Sequence, residues 1–214
     1  MNGTASGLHG LRQPEQDHDL LLRETNHRCS NDLQLVVSLL GLQSRRAASP
    51  EVRQALSDAM DRVSILARAR GAMQRERQPS LEAALRQVCE ALQAQAEPRS
   101  ILISLEALNE ARGVLPTQIT TLALVVNELT TNAIKHAFEE GREGHVRISI
   151  SKHGDRDVVV MVDDDGLPFP EASGSGDGLG MDLVRRLMVS IGGMLIPPPP
   201  GTKIFELRVP VASG

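Results

Sequence analysis

The polar and apolar positions of the first third of the chain follow a helical period. The mostly apolar stripe consists of Leu22, Asn26, Cys29, Leu33, Val36 and Leu40. Spacings of three and four place these positions on one side of a long helix. A second stripe runs over 52–73, after Ser49 and Pro50, which are favoured at a helix start. The connection at 45–48 is short, so the pattern predicts an antiparallel helical hairpin over residues 17–78.

The second half of the first helix is apolar nearly all round. Its apolar side chains are Leu33, Leu35, Val36, Val37, Leu39, Leu40 and Leu42. One partner helix cannot cover so wide a surface, so this segment is expected to pack against several helices. We therefore predict a homodimer in which two hairpins form a four-helix bundle.

Beyond the hairpin the period changes. The pattern predicts a helix capped by Ser80 and running to about 95, a strand at 100–106, a helix at 116–138, paired strands at 146–151 and 157–162, a helix at 178–191, and two strands around the proline-rich 197–201. Helices mixed with mostly antiparallel strands predict an α+β fold, with an α/β sandwich over residues 79–214. Residues 1–16 lack an apolar period and are expected to be a flexible lead-in.

Composition and charge narrow the classes of function. The 214 residues carry a net charge of −4, with three Phe, no Trp and no Tyr. These values disfavour nucleic-acid modules, which need a basic surface or exposed rings for base stacking. No apolar run approaches the ~20 residues of a membrane span. The first twenty residues have no signal-peptide centre, and two isolated cysteines fit a reducing compartment, so we expect a cytoplasmic protein.

His27 is the first candidate for chemistry. It lies about 100° around the helix from the Asn26 stripe position and should face solvent. A neutral imidazole has a nitrogen lone pair near pH 7, so an exposed histidine on a rigid helix can accept a phosphoryl group. A single surface histidine is usually inert. The functional interpretation therefore needs a source of phosphoryl groups elsewhere in the chain.

The predicted helix at 116–138 offers such a source. Glu128, Asn132, Lys135 and His136 follow at i, i+4, i+7 and i+8, so they share one face. A carboxylate, an amide, an ammonium and an imidazole on one face can meet Mg²⁺ and phosphates, because Mg²⁺ takes oxygen ligands and keeps substrate phosphates. A polar, solvated helix face is the alternative.

Three further elements follow along the chain. Asp164 stands at a strand end, where its carboxylate can accept from an adenine amine, and Gly166 lets a ligand approach the backbone closely. Gly178, Leu179 and Gly180 open a helix, whose free amides and dipole favour phosphate. Thr202 begins the last predicted strand and can add a polar contact to a base pocket. An acidic turn and an ordinary helix start are the alternatives.

The order of these elements resembles the nucleotide-binding domain of histidine kinases and related ATPases of the Bergerat (GHKL) type. Residues 128–136 resemble its N box, 164–166 its G1 box and 178–180 its G2 box. Residues 201–205 are similar to the family's Gly-Thr-x-Phe element, with the Phe one place later. Upstream, residues 26–34 resemble the phosphoacceptor helix of the HWE/HisKA_2 class. The resemblance covers roughly residues 17 to 210.

The resemblance implies a role for each matching residue. His27 would be the phosphoacceptor, Glu128 a general base or metal-orienting residue, and Asn132 the Mg²⁺ ligand. Lys135 would contact a phosphate, and His136 would stand beside the nucleotide. Among the later elements, Asp164 would hold the adenine amine, with Gly166, Gly178, Leu179, Gly180 and Thr202 completing the ATP site.

The implied function is a two-component histidine kinase without its own sensor. It would autophosphorylate His27 from ATP with Mg²⁺ and pass the phosphoryl group to an aspartate of a response-regulator receiver domain. Only about 20 residues precede the first predicted helix, so the signal is expected from a separate sensory protein or from a longer version of the chain. Two positions depart from the family's pattern. Pro168 stands where the G1 box has its second glycine, and Asp32 stands where the family has a second Asn after the phosphoacceptor histidine. Two alternatives remain: a histidine phosphotransferase with a degenerate nucleotide site, and a non-catalytic dimeric binding module.

Overall fold

The computed structural model describes residues 13–75, 80–109, 111–154, 156–167 and 179–211. The helices are α1 (Gln13–Arg46), α2 (Pro50–Arg75), α3 (Leu81–Ala96), α4 (Pro116–His136) and α5 (Leu179–Ser190), with a 3-10 turn at Glu97–Arg99. The strands are β1 (Ile101–Ala107), β2 (Gly144–His153), β3 (Asp157–Asp164), β4 (Met194–Ile196) and β5 (Phe205–Pro210). The predicted α+β class is confirmed.

The first two helices form the predicted hairpin. The Ser49 hydroxyl caps α2 by accepting from the Val52 amide at 3.3 Å. Cys29 on α1 lies beside Arg70 on α2, with Sγ 2.5 Å from Nη1. Nearer the turn, Ser44 donates to the carbonyl of Arg53 at 3.3 Å. From Cys29 to Ser44 along α1, the contacted residue of α2 moves back from Arg70 to Arg53, so α1 and α2 run antiparallel.

The first helix begins earlier than the sequence pattern indicates. It starts at Gln13, whereas the pattern predicts a lead-in up to residue 16. Pro14 explains the difference, because proline is accommodated in the first turn of a helix, where its missing N–H leaves no bond unmade. Residues 1–12 lie outside the described part of the chain.

The second part of the chain is a five-stranded mixed sheet in the order β1-β2-β3-β5-β4. β1 and β2 are parallel and are joined through α4, while the other neighbours are antiparallel. Inward-facing strand residues such as Val146, Ile148 and Ile150 are buried. They belong to one hydrophobic core together with residues of α3, α4 and α5. The helices therefore cover one face of the sheet and fix the position of α4 above it.

The caps and helix ends account for the remaining boundaries. Ser80 caps α3 as predicted, since its hydroxyl accepts from the Ala83 amide at 3.2 Å. The predicted start of the last strand at Thr202 is wrong. β5 begins at Phe205, and Thr202 lies in the preceding turn. Among the described helices, none is long and apolar enough to cross a membrane.

Candidate active site

The helix that carries the N box is bound at its start to the end of β5 and at its end to the 3-10 turn before β1. At its start, Gln118 accepts from the Leu115 amide at 2.9 Å and donates to the carbonyl of Pro210 at 2.9 Å. At its end, the guanidinium of Arg99 donates to the carbonyls of Ile134 and Phe138. A cation at a helix C-terminus satisfies free carbonyls and opposes the helix dipole. The N box is thereby held on a rigid element.

Glu128 is buried and bound by an arginine of the hairpin. Arg62 on α2 donates through Nε to Oε1 at 2.7 Å and through Nη2 to Oε2 at 2.9 Å. The Glu128 side chain is 9% exposed. Its hydrogen bond is the main reason why the pKa of Arg62 is raised. Both oxygens of the predicted base or metal-orienting carboxylate are therefore engaged by α2.

Lys135 also contacts the hairpin. Its Nζ lies 3.0 Å from Oδ1 of Asp58, which stands one turn before Arg62 on α2. Burial by itself would raise the pKa of Asp58, but the hydrogen bonds from Lys135 and Gln54, together with the charges of Lys135 and Arg62, lower it. His136 is exposed at the end of α4. The predicted shared face is thus confirmed for Glu128 and Lys135, and in this structure that face is turned towards α2.

Asn132 lies next to the first turn of α5. A Cβ placed on Gly180 would lie 3.5 Å from Nδ2 of Asn132 and 3.5 Å from Oε2 of Glu128. Glycine at this position leaves space between the N box and the amides of a helix start, where the dipole favours phosphate. Among the described residues no cluster of three acidic, His or Cys side chains could hold a metal. The amide of Asn132 and the carboxylate of Glu128 carry the oxygen atoms that Mg²⁺ prefers, and the ion completes its shell with phosphates and water.

Asp164 ends β3 and is also buried. Its Oδ1 accepts from the Gly166 amide at 3.0 Å and lies 2.5 Å from Nζ of Lys203. The side chains of Asp164 and Lys203 are 8% and 11% exposed. The same ammonium donates to the carbonyl of Leu167. The predicted base-binding carboxylate therefore has a buried cationic neighbour.

Gly166 has a structural reason to be glycine. A Cβ on this residue would lie 2.3 Å from the carbonyl oxygen of Ala137, a distance no side chain tolerates. That carbonyl accepts from the Leu167 amide at 2.7 Å, so the strand end is bound to the end of α4. The space beside Gly166, which was predicted to let a ligand approach the backbone, is therefore occupied by the backbone at the end of α4.

The remaining predicted residues are less completely placed. Thr202 is exposed and donates to the carbonyl of Pro199 at 3.1 Å, so it turns towards its own loop. Gly178 and Pro168 lie outside the described residues, as do the side chains of His27 and Leu179. The backbone of His27 is helical within α1, and Leu179 begins α5.

Three residues that contact the predicted site residues were not themselves predicted from the sequence: Arg62, Asp58 and Lys203. Arg62 and Asp58 are one turn apart on α2, a spacing that can signal a shared charged face, but their partners lie 66 and 77 residues away. Lys203 follows Thr202 in a loop and had no local signal beyond its charge.

The fold and this site define the core of a histidine kinase. A family model described as "Histidine kinase" matches residues 24–96, and one described as "Histidine kinase-like ATPase domain" matches residues 79–193. The sensor histidine kinase PdtaS of Mycobacterium tuberculosis is 36% identical over 177 residues, which cover 79% of this chain and 34% of that protein. Blue-light-activated histidine kinase 2 of Erythrobacter litoralis is 27% identical over 202 residues, covering 91% of this chain and 58% of that protein.

The chain belongs to the histidine kinase family. A solved histidine kinase domain of the blue-light-activated kinase EL346 from Erythrobacter litoralis has the same fold, with a TM-score of 0.63 at 24% identity. The match covers 91% of this chain and 94% of that domain. The chain spans between about a third and six-tenths of the length of the curated relatives described above.

Proposed function

We propose that this chain autophosphorylates His27 from ATP and passes the phosphoryl group to an aspartate of a response-regulator receiver domain. The observation that carries the proposal is the meeting of Asn132, Glu128 and the glycine start of α5 around one gap. The proposal divides the chain into a phosphoacceptor hairpin at 17–78 and an ATP-binding unit at 79–214.

The reaction is a phosphoryl transfer, in which positioning and charge neutralisation supply most of the catalysis. An imidazole nitrogen of His27 attacks the γ-phosphorus, the bond to the bridging oxygen breaks, and ADP leaves with that electron pair. Asp164 accepts from the adenine amine, and Gly178, Leu179 and Gly180 border the phosphates. Lys135 contacts a phosphate, His136 stands beside the nucleotide, and Thr202 adds a polar contact. Asn132 would hold Mg²⁺, which would supply positive charge to the phosphates, and Glu128 would act as a general base or orient the metal.

The proposed reaction requires the two parts to move. Glu128 contacts α2 at Arg62, whereas the turn of α1 that carries His27 lies beside Arg70, since Cys29 is bound there. Eight residues separate Arg62 from Arg70, which is about 12 Å along a helix. The N box therefore docks about two turns from the level of the phosphoacceptor. Transfer needs a displacement along the hairpin, a common step in kinases.

The exposed apolar surface of the hairpin supports a homodimer. Its members are Leu35, Leu39, Leu42, Val36 and Val52, each between 42% and 61% exposed in the single chain. A contiguous apolar surface of this kind marks an interaction site, and a second hairpin would complete a four-helix bundle. A separate sensory protein and a receiver domain are the further partners we propose. Both described thiols are free, and ATP is the substrate, so we place the reaction in the cytoplasm.

The test is incubation of the purified chain with Mg²⁺ and γ-labelled ATP. Acid-labile label should form on the wild type and be absent from His27→Ala. Asn132→Ala should also form no label, yet still accept label at His27 from a phosphorylated receiver. Absence of label on the wild type would contradict the kinase proposal. Label that forms only from a phosphorylated receiver would instead identify a histidine phosphotransferase.

A further inference from the structure

Lys203 stands beside the proposed base-binding carboxylate. Its Nζ is 2.5 Å from Oδ1 of Asp164, and both side chains are about nine-tenths buried. A buried ammonium is costly unless its charge is paired and its protons are bonded. Asp164 and the carbonyl of Leu167 provide these contacts. Lys203 is therefore fixed next to the carboxylate that the proposed site uses to recognise a base.

The pair presents a hydrogen-bond acceptor and a donor side by side. A carboxylate has two oxygens and accepts only, while an ammonium has three N–H groups and donates only. In a purine the ring nitrogen next to an exocyclic amine is only two bonds from it, and Nζ of Lys203 lies 2.5 Å from the carboxylate that would accept from that amine. Adenine has this arrangement, an amine beside an acceptor nitrogen. Guanine and hypoxanthine carry a carbonyl and an N–H in the corresponding positions, so both contacts would be mismatched.

We propose that Lys203 determines base specificity, by donating to the adenine ring nitrogen next to the amine that Asp164 accepts. The inference rests on the proposed function, because it requires ATP to bind with its base at Asp164. It adds a second recognition contact, made from the loop before β5. The contact explains why a lysine is buried at a position that an apolar residue would occupy at lower cost.

The experiment measures the affinity of the whole chain, with Mg²⁺, for ATP and two analogues. In 1-deaza-ATP the ring nitrogen is replaced by C–H, and purine riboside triphosphate lacks the amine. A hydrogen bond from a charged donor is worth about ten-fold or more in affinity, so the wild type should bind 1-deaza-ATP at least about ten-fold more weakly than ATP. In Lys203→Met this ratio should fall to near one, while the preference for an amine remains. Lys203→Arg should keep part of the ratio.

The matched control is Lys152→Met, which removes an exposed lysine of β2 and should leave both ratios unchanged. A structural role of Lys203 would weaken all three ligands equally and leave the ratio at its wild-type value, which would overturn the inference. Tighter ATP binding by Lys203→Met would overturn it too, since the lysine would then compete with the base. If Lys203→Met does not fold, two measurements test the inference: the preference of the wild type for ATP over 1-deaza-ATP, and the size of the same preference in Lys203→Arg. If the wild type binds no ATP, the proposed function fails and the inference with it.

Discussion

Arg62 and Glu128 form a two-point ion pair between the hairpin and the N box. The planar guanidinium matches the carboxylate, with contacts of 2.7 and 2.9 Å. Charge-assisted, bidentate pairs are stronger and more specific than single hydrogen bonds. The pair uses one lone-pair site on each carboxylate oxygen and holds the Glu128 side chain against α2. In the proposed reaction, Glu128 leaves Arg62 before phosphoryl transfer.

The first prediction concerns the free energy of unfolding. In a double-mutant cycle with Arg62→Ala and Glu128→Ala, we expect a coupling of about 1–2 kcal/mol, because the pair is bidentate but Arg62 is partly exposed. Denaturant unfolding of the four proteins measures it. Arg68→Ala, an exposed arginine on the same helix, is the control and should not couple to Glu128→Ala. Additive effects of Arg62→Ala and Glu128→Ala would contradict the contact.

The second prediction concerns rate. Because the ion pair holds Glu128 away from its proposed role, Arg62→Ala should raise the initial rate of His27 phosphorylation about three- to ten-fold, the equivalent of ~1 kcal/mol. Initial rates with labelled ATP measure it, with Arg68→Ala again as the control. A slower Arg62→Ala reaction would mean that the arginine acts within the transfer step itself.

The third prediction concerns pH and uses two neighbouring acids of α2. Burial opposes ionisation of Asp58, but hydrogen bonds from Lys135 and Gln54 and the charges of Lys135 and Arg62 together lower its pKa. Its stabilising effect is therefore present above the unfolded pKa and is lost as the pH falls through the folded one. Partial desolvation raises the pKa of Asp61, and the charges of Asp58 and Glu128 raise it further. Ionised Asp61 therefore lowers the stability of the folded chain.

Asp58→Asn should accordingly lower the melting temperature at pH 7, whereas Asp61→Asn should raise it. The Asp61 difference should vanish below the unfolded pKa of aspartate, near 4, whereas the Asp58 difference should persist to lower pH and vanish only below the lowered folded pKa, where that carboxyl is protonated in both states. Melting curves between pH 3 and 7 measure this. Shifts of the same sign for both variants would show that the charges of α2 do not set the pH dependence.

The fourth prediction separates two glycines of the site. Gly166→Ala places a Cβ 2.3 Å from a backbone oxygen, so we expect a loss of stability of about 3 kcal/mol or more. Gly180→Ala meets its neighbours at 3.5 Å, an ordinary contact, and should fold normally. It fills the gap beside Asn132, so ATP affinity should fall several-fold. Thermal unfolding and nucleotide titration distinguish the two, and unchanged ATP binding by Gly180→Ala would argue against a phosphate in this gap.

The fifth prediction concerns assembly. Leu39 is 53% exposed in the centre of the apolar surface of α1. Leu39→Glu introduces a charge that a dimer interface would have to bury, so the variant should be a monomer where the wild type is a dimer. Light scattering at micromolar concentration measures this, with Gln34→Glu as a control on a neighbouring face. A monomeric wild type would refute the bundle.

Local sequence signals predicted the elements well, because periodicity and caps depend on near neighbours. The Ser49 and Ser80 caps and the shared face of Glu128 and Lys135 follow from such signals. Periodicity defines a face but not the partner that covers it, so Arg62 and Lys203 could not be identified. Phe138 illustrates the same limit: it follows the N-box residues directly in the sequence, and only the structure shows that it is buried in the core.

The clamp of Arg99 on the end of α4 and the contact of Gly166 with Ala137 join the N box to the end of β3. The two ends of the proposed nucleotide site are therefore joined to each other. A movement of the hairpin relative to them would change the distance from a bound nucleotide to His27 and release Glu128 and Lys135 from α2. Regulation through the hairpin should consequently change kcat more than the Kd for ATP, so the cell could adjust output while the enzyme stays loaded.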